Sequence, residues 1–63
     1  MSNEMIGVFG TIIAETDNAI LLFDGIEEVW LPLSQIEYNP SAKEGTDTTV
    51  EIPEWLAYEK GLI

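Results

Sequence analysis

Apolar side chains alternate with small or polar ones over residues 5–15, Met-Ile-Gly-Val-Phe-Gly-Thr-Ile-Ile-Ala-Glu. A period of two across β-branched and aromatic residues predicts a strand. One face carries Ile6, Val8, Gly10, Ile12 and Ala14, and the other Met5, Gly7, Phe9, Thr11 and Ile13. The two interior glycines predict a bend, a bulge or a close backbone approach. Thr16-Asp17-Asn18 is a turn cluster. Residues 19–23, Ala-Ile-Leu-Leu-Phe, form a short apolar run and read as a central strand. Asp24-Gly25 is the strongest local signal, a tight-turn dipeptide between two apolar segments. Residues 27–32, Glu-Glu-Val-Trp-Leu-Pro, complete the hairpin, with Val29 and Leu31 on one face and Glu28 and Trp30 on the other.

Pro32 cannot donate to a ladder, so this strand ends there or lies at a sheet edge. Leu33-Ser34-Gln35-Ile36 predicts a short helical turn or a connector into a brief strand at 35–38. Residues 39–47 are the one loop-like stretch, and residues 48–52 read as a last strand. Pro53 then suits the first helical position, with Glu54 in the first turn, Lys60 in the last and Gly61 as the stop. A helix over 53–60 is too short to stand alone, so Trp55, Leu56 and Leu62 are expected to dock it on the sheet.

The pattern predicts one mainly β domain over residues 1–63. Its outline is a small bent antiparallel sheet or SH3/OB-like barrel of about five short strands, with a short C-terminal helix. A flatter sheet of three or four strands with a helix on one face is the alternative.

Composition narrows the chemistry. The 63 residues hold twelve acidic side chains against two lysines, with no arginine, histidine or cysteine, for a net charge of −10. There is no disulfide framework, no thiolate zinc site and no thiol nucleophile. Without histidine, every Ser-His or Cys-His arrangement is excluded. Lys43 and Lys60 cannot neutralise a row of phosphates, so direct nucleic-acid binding is not expected. A mean hydropathy of +0.11 and 46% apolar residues separate the chain from disordered acidic segments. No 18-residue apolar run occurs and the first residues lack a basic signal-peptide region, so a cytoplasmic protein that avoids anionic membranes is expected.

Residues 27–36, Glu-Glu-Val-Trp-Leu-Pro-Leu-Ser-Gln-Ile, and 50–62, Val-Glu-Ile-Pro-Glu-Trp-Leu-Ala-Tyr-Glu-Lys-Gly-Leu, carry a resemblance. In these segments the chain resembles a group of small stand-alone prokaryotic and phage proteins with "EVWLPxSQI" and "IPEWLAxEKGL" segments. The resemblance implies a compact mostly-β domain with a short closing helix, and it implies no activity. Leu33 and Tyr58 stand where the group's pattern has charged residues.

Carboxylates are the only catalytic raw material. Asp24, Glu27 and Glu28 cluster at the hairpin turn, but glycosidase chemistry needs a cleft between two such groups, and a domain this small offers none. Nothing matches the calcium-loop pattern, and Asp17-Asn18 and Thr46-Asp47 are ordinary turn residues. No enzyme, metal or cofactor is therefore expected. Trp55 is expected in the core. Trp30 either packs under the terminal helix or makes an exposed contact.

Two binding functions remain. In the first, the chain is a phage-encoded inhibitor or decoy. Its carboxylates would occupy the basic groove of a host nucleic-acid enzyme, such as a CRISPR-type effector or another nuclease. Alternate carboxylates on a strand lie about 6.6 Å apart, comparable with successive phosphates, and Glu15 with Asp17 or Asp24 with Glu27 and Glu28 could supply such rows. In the second, the chain is an interaction module, a homodimer included, with an apolar patch of Trp30, Leu33 and Tyr58. Both readings call for a protein partner; the first requires a basic surface on it. The candidate contact residues are Asp24, Glu27, Glu28, Trp30, Glu51 and Glu54.

Overall fold

One long strand organises the molecule. The computed structural model describes residues 4–63. Strand β1 (Met5–Glu15) pairs through its first half with β4 (Asp47–Pro53) and through its second half with β2 (Ala19–Phe23). Only Thr11 has a partner on both sides, Phe23 and Asp47. The β2 strand pairs in turn with β3 (Glu28–Pro32), giving an antiparallel sheet in the order β3-β2-β1-β4. A 3₁₀ turn (Leu33–Gln35) follows β3, and helix α1 (Glu54–Glu59) follows β4 directly.

The expected mainly β fold with a short closing helix is what forms. The sheet is open and has four strands. The brief strand expected at 35–38 reduces to one bridge, in which Glu37 and Glu51 exchange backbone hydrogen bonds of 2.9 and 2.6 Å. A following Asn39-Pro40 pair cannot extend that bridge, because Pro40 lacks an N–H.

Gly10 explains the change of partner along β1. A Cβ there would lie 2.5 Å from the carbonyl oxygen of Phe23, so only glycine lets the end of β2 close on β1. A bulge at Ile13 follows, between the Ile12–Leu22 and Ala14–Leu21 pairs. The extra residue shifts the alternation, so Ala14 joins the face opposite Ile12. This corrects the placing of Ala14 on the Ile12 face, while the close approach at Gly10 is of the kind the interior glycines predict.

The core lies on one face of the sheet. Ile12, Ile20, Leu22, Leu31, Val50 and Ile52 are fully enclosed, and Ile36, Ala42, Leu56 and Ala57 close over them. The cover is thus the segment after β3, the 39–46 loop and α1. The loop is anchored to β1: Ile12 N–H donates to Thr46 O at 3.0 Å, and Gly45 N–H to Ile12 O at 2.6 Å.

Helix α1 is six residues long with Pro53 as its N-cap. Pro53, Leu56 and Ala57 are buried, a spacing that marks one helical face. Trp55 sits on the flank of that face and is 37% exposed, which corrects its expected core position. Gly61, at φ +74°, ends the helix as expected. Its N–H donates to Tyr58 O and that of Leu62 to Ala57 O, the paired bonds of a Schellman cap. Leu62 thereby folds back onto the core.

Candidate recognition face

The second face of the sheet is uncovered by any described element. Register gives its layout. Trp30, Leu21 and Ala14 form one row across β3, β2 and β1. Glu28, Phe23, Thr11 and Asp47 form the next, the one row that crosses all four strands. Phe9 with Thr49, then Gly7 with Glu51, complete the face along β1 and β4. Phe9 is 64% exposed, Trp30 46% and Phe23 37%. Three aromatic rings and Leu21 therefore meet solvent on a surface bordered by Glu28 on one side and by Asp47 and Glu51 on the other. Thr11 Oγ1 donates to Asp47 Oδ1, which holds that carboxylate against the face.

The β3 edge of the sheet is free over a short length, and the β4 edge is taken in part. Asp24 N–H donates to Glu27 O, and Leu33 N–H to Asn18 O. These bonded rungs fix the alternation between them. Leu22–Val29 and Ile20–Leu31 are then hydrogen-bonded pairs, and Glu28, Trp30 and Pro32 turn their backbone groups to the free edge of β3. Pro32 has no N–H to offer there, the role expected of an edge proline. On the other side, the Glu37 bridge takes the backbone groups of Glu51 on β4.

The hairpin turn is built by its own carboxylate. Asp24 Oδ1 accepts from the N–H groups of Glu27 (2.8 Å) and Ile26 (2.9 Å), and Gly25 supplies φ +103°. Those two donors, Glu27 first, hold the Asp24 carboxyl below the usual aspartate range.

The sequence-derived contact residues fall into separate places. Glu28, Trp30 and Glu51 share the open face. Asp24 is engaged in its turn, and Glu27 directs its carboxylate toward the helix end, near Gly61. Glu54 starts α1, where its N–H donates to Glu4 O. Glu15 Oε1 accepts from Glu44 N–H at 3.1 Å. The apolar patch of Trp30, Leu33 and Tyr58 does not assemble: Leu33 turns into the core, and Tyr58 leaves the outer side of α1, across the sheet from Trp30.

The patch that does form was missed at Phe9, Leu21 and Phe23. One signal was available: β2 is apolar at all five positions, so both its faces are apolar, and Phe23 lies across the hairpin from Glu28. Among the described residues no pocket opens, no three carboxylates converge as metal ligands, and no helix is long and apolar enough to cross a membrane. No family model, curated protein or solved structure matches this chain.

Proposed function

We propose that this chain is a non-enzymatic protein-binding module that engages its partner through the open sheet face. One observation carries the reading: the exposed rings of Phe9, Phe23 and Trp30 and the half-buried Leu21 share one uncovered sheet face, rimmed by Glu28, Asp47 and Glu51. Exposed apolar surface with a polar rim is the usual make-up of an interaction site, and tryptophan is enriched among residues that dominate binding. The acidic rim selects a partner whose matching surface carries cations around an apolar centre. A cytoplasmic setting belongs to this reading.

A decoy acting through carboxylates alone draws less support from this arrangement. Asp24 and Glu15 each accept backbone hydrogen bonds, and the open face alternates carboxylates with aromatic rings. The inhibitor reading survives in a combined form, with rim charge steering the encounter and the aromatic centre holding the complex.

Affinity capture from the native host, with the full chain and a folded Phe9→Thr/Trp30→Thr variant as baits, tests this. The same partner should be retained by the first and lost by the second. An unchanged set of captured proteins would remove the open face from the function.

A further inference from the structure

We infer that the occupant of the open face is a basic amphipathic α-helix of the partner protein. This rests on the reading above and adds the partner's chemistry. The first argument is topological. An extended peptide would join this sheet by pairing at an edge, where β3 turns outward only the N–H groups of Glu28 and Trp30 before Pro32, and where the Glu37 bridge takes the Glu51 groups of β4. What the molecule offers is side chains on a face, and a bare apolar sheet face is ordinarily buried by a packed layer such as a helix.

The second argument is dimensional. Glu28 and Asp47 end one row that crosses four strands. Three inter-strand steps of about 4.8 Å separate them by about 14 Å along the sheet. A helix about 10–12 Å across with its side chains fits between those carboxylates. The apolar rows, from Trp30–Leu21 through Phe23–Thr11 to Phe9, extend over about 13 Å at two residues per step. About nine helical residues, or two and a half turns, cover that length at about 1.5 Å per residue.

The third argument is charge. Asp47 and Glu51 stand four residues apart on β4, about 13 Å, so cations two helical turns apart on one flank of the guest would meet both. A cation on its opposite flank would meet Glu28. Long lysine and arginine side chains can lay their stems on the aromatic rings while their heads reach such a rim. A second copy of this chain is a poor occupant by the same logic. It would bring its own Glu28, Asp47 and Glu51 to the contact. Its lysines lie elsewhere, Lys43 in the loop of the covering layer and Lys60 at the end of α1.

The test uses the full chain carrying Trp55→Phe, which leaves Trp30 as the sole tryptophan, after circular dichroism confirms its fold. Two 18-residue helix-forming peptides serve as probes, with one shared leucine stripe and either lysine or glutamate on both flanks. Titration of the lysine peptide should shift Trp30 emission to the blue, saturate, and raise peptide helicity. The glutamate peptide should bind at least tenfold more weakly. Glu28→Lys/Asp47→Lys should reverse that order. Equal binding of the two peptides, binding without helix formation, absence of binding by the lysine peptide, or a self-associated chain with Trp30 shielded would each overturn the inference. Loss of capture by the Phe9→Thr/Trp30→Thr bait is a separate result, so the helix can fail while the face stands.

Discussion

The two faces of this sheet are made by the same strands and have nearly opposite fates. On one, Ile12, Ile20, Leu22, Leu31, Val50 and Ile52 are sealed beneath α1 and the 39–46 loop. On the other, Phe9, Leu21, Phe23 and Trp30 alternate with Thr11, Thr49 and a rim of carboxylates, and no described element covers them. The inner face is aliphatic and β-branched, which favours dense packing in few rotamers. The outer face is aromatic, which favours contact with another molecule. The division is between holding the fold and meeting a partner.

The largest effect belongs to the inner face. Ile52→Ala removes a fully enclosed side chain and should cost about 2–5 kcal/mol in urea denaturation. A small domain has little reserve, so this variant should be mostly unfolded near its growth temperature. A loss below about 1 kcal/mol would mean that the enclosed layer is not the stabilising one.

Gly10→Ala comes next. Its methyl would meet the Phe23 carbonyl oxygen at 2.5 Å, and forced overlap of this kind costs about 1–3 kcal/mol. Because the clash is with backbone, β2 must move away from β1. Amide exchange should therefore quicken in the β2–β3 hairpin before it does in β4. Equal quickening throughout would place the handover between partners elsewhere on β1.

Outer-face substitutions should reverse the pattern. Phe9→Thr and Trp30→Thr keep strand-favouring residues and remove rings that are already half in water. Each should cost about 1 kcal/mol or less of stability while abolishing partner capture. A variant that unfolds as readily as Ile52→Ala would make the outer rings part of the core.

The smallest effect lies at the hairpin tip, between the faces. Asp24 has its carboxyl held low by the N–H groups of Glu27 and Ile26. Its contribution is present above the ordinary aspartate value of about 3.9 and is lost as pH falls through the lower folded value. The stability difference between wild type and Asp24→Ala should thus be largest near neutrality and shrink below about pH 4. A difference that persists unchanged into strong acid would mean the charge plays no part in the turn.

Much of the inner face was legible because periodicity, turn chemistry and termination signals agreed there. Asp24-Gly25, the Val29–Leu31 alternation, the strand before Pro53 and the Gly61 stop all stand where expected. The misreadings share one cause. Where both faces of a strand are apolar, as in β1 and β2, alternation separates two sets of residues without saying which one the chain covers. That choice is made by distant segments, the 39–46 loop and α1. The bulge at Ile13 and the half-exposed Trp55 are likewise settled by packing partners outside the local pattern. Glu28, Trp30 and Glu51 stand among the contact candidates read from the sequence, while Phe9 and Phe23 carry no such assignment there.

The most direct test places a photo-crosslinking benzoylphenylalanine at Phe9, on the open face, or at Tyr58, equally exposed at 67% on the outer side of α1. Irradiation in native host cells should give one discrete adduct from the Phe9 position, lost in the presence of Glu28→Lys/Asp47→Lys, and none from Tyr58. An adduct from Tyr58 alone, or none from Phe9, would contradict the assignment of recognition to the open face.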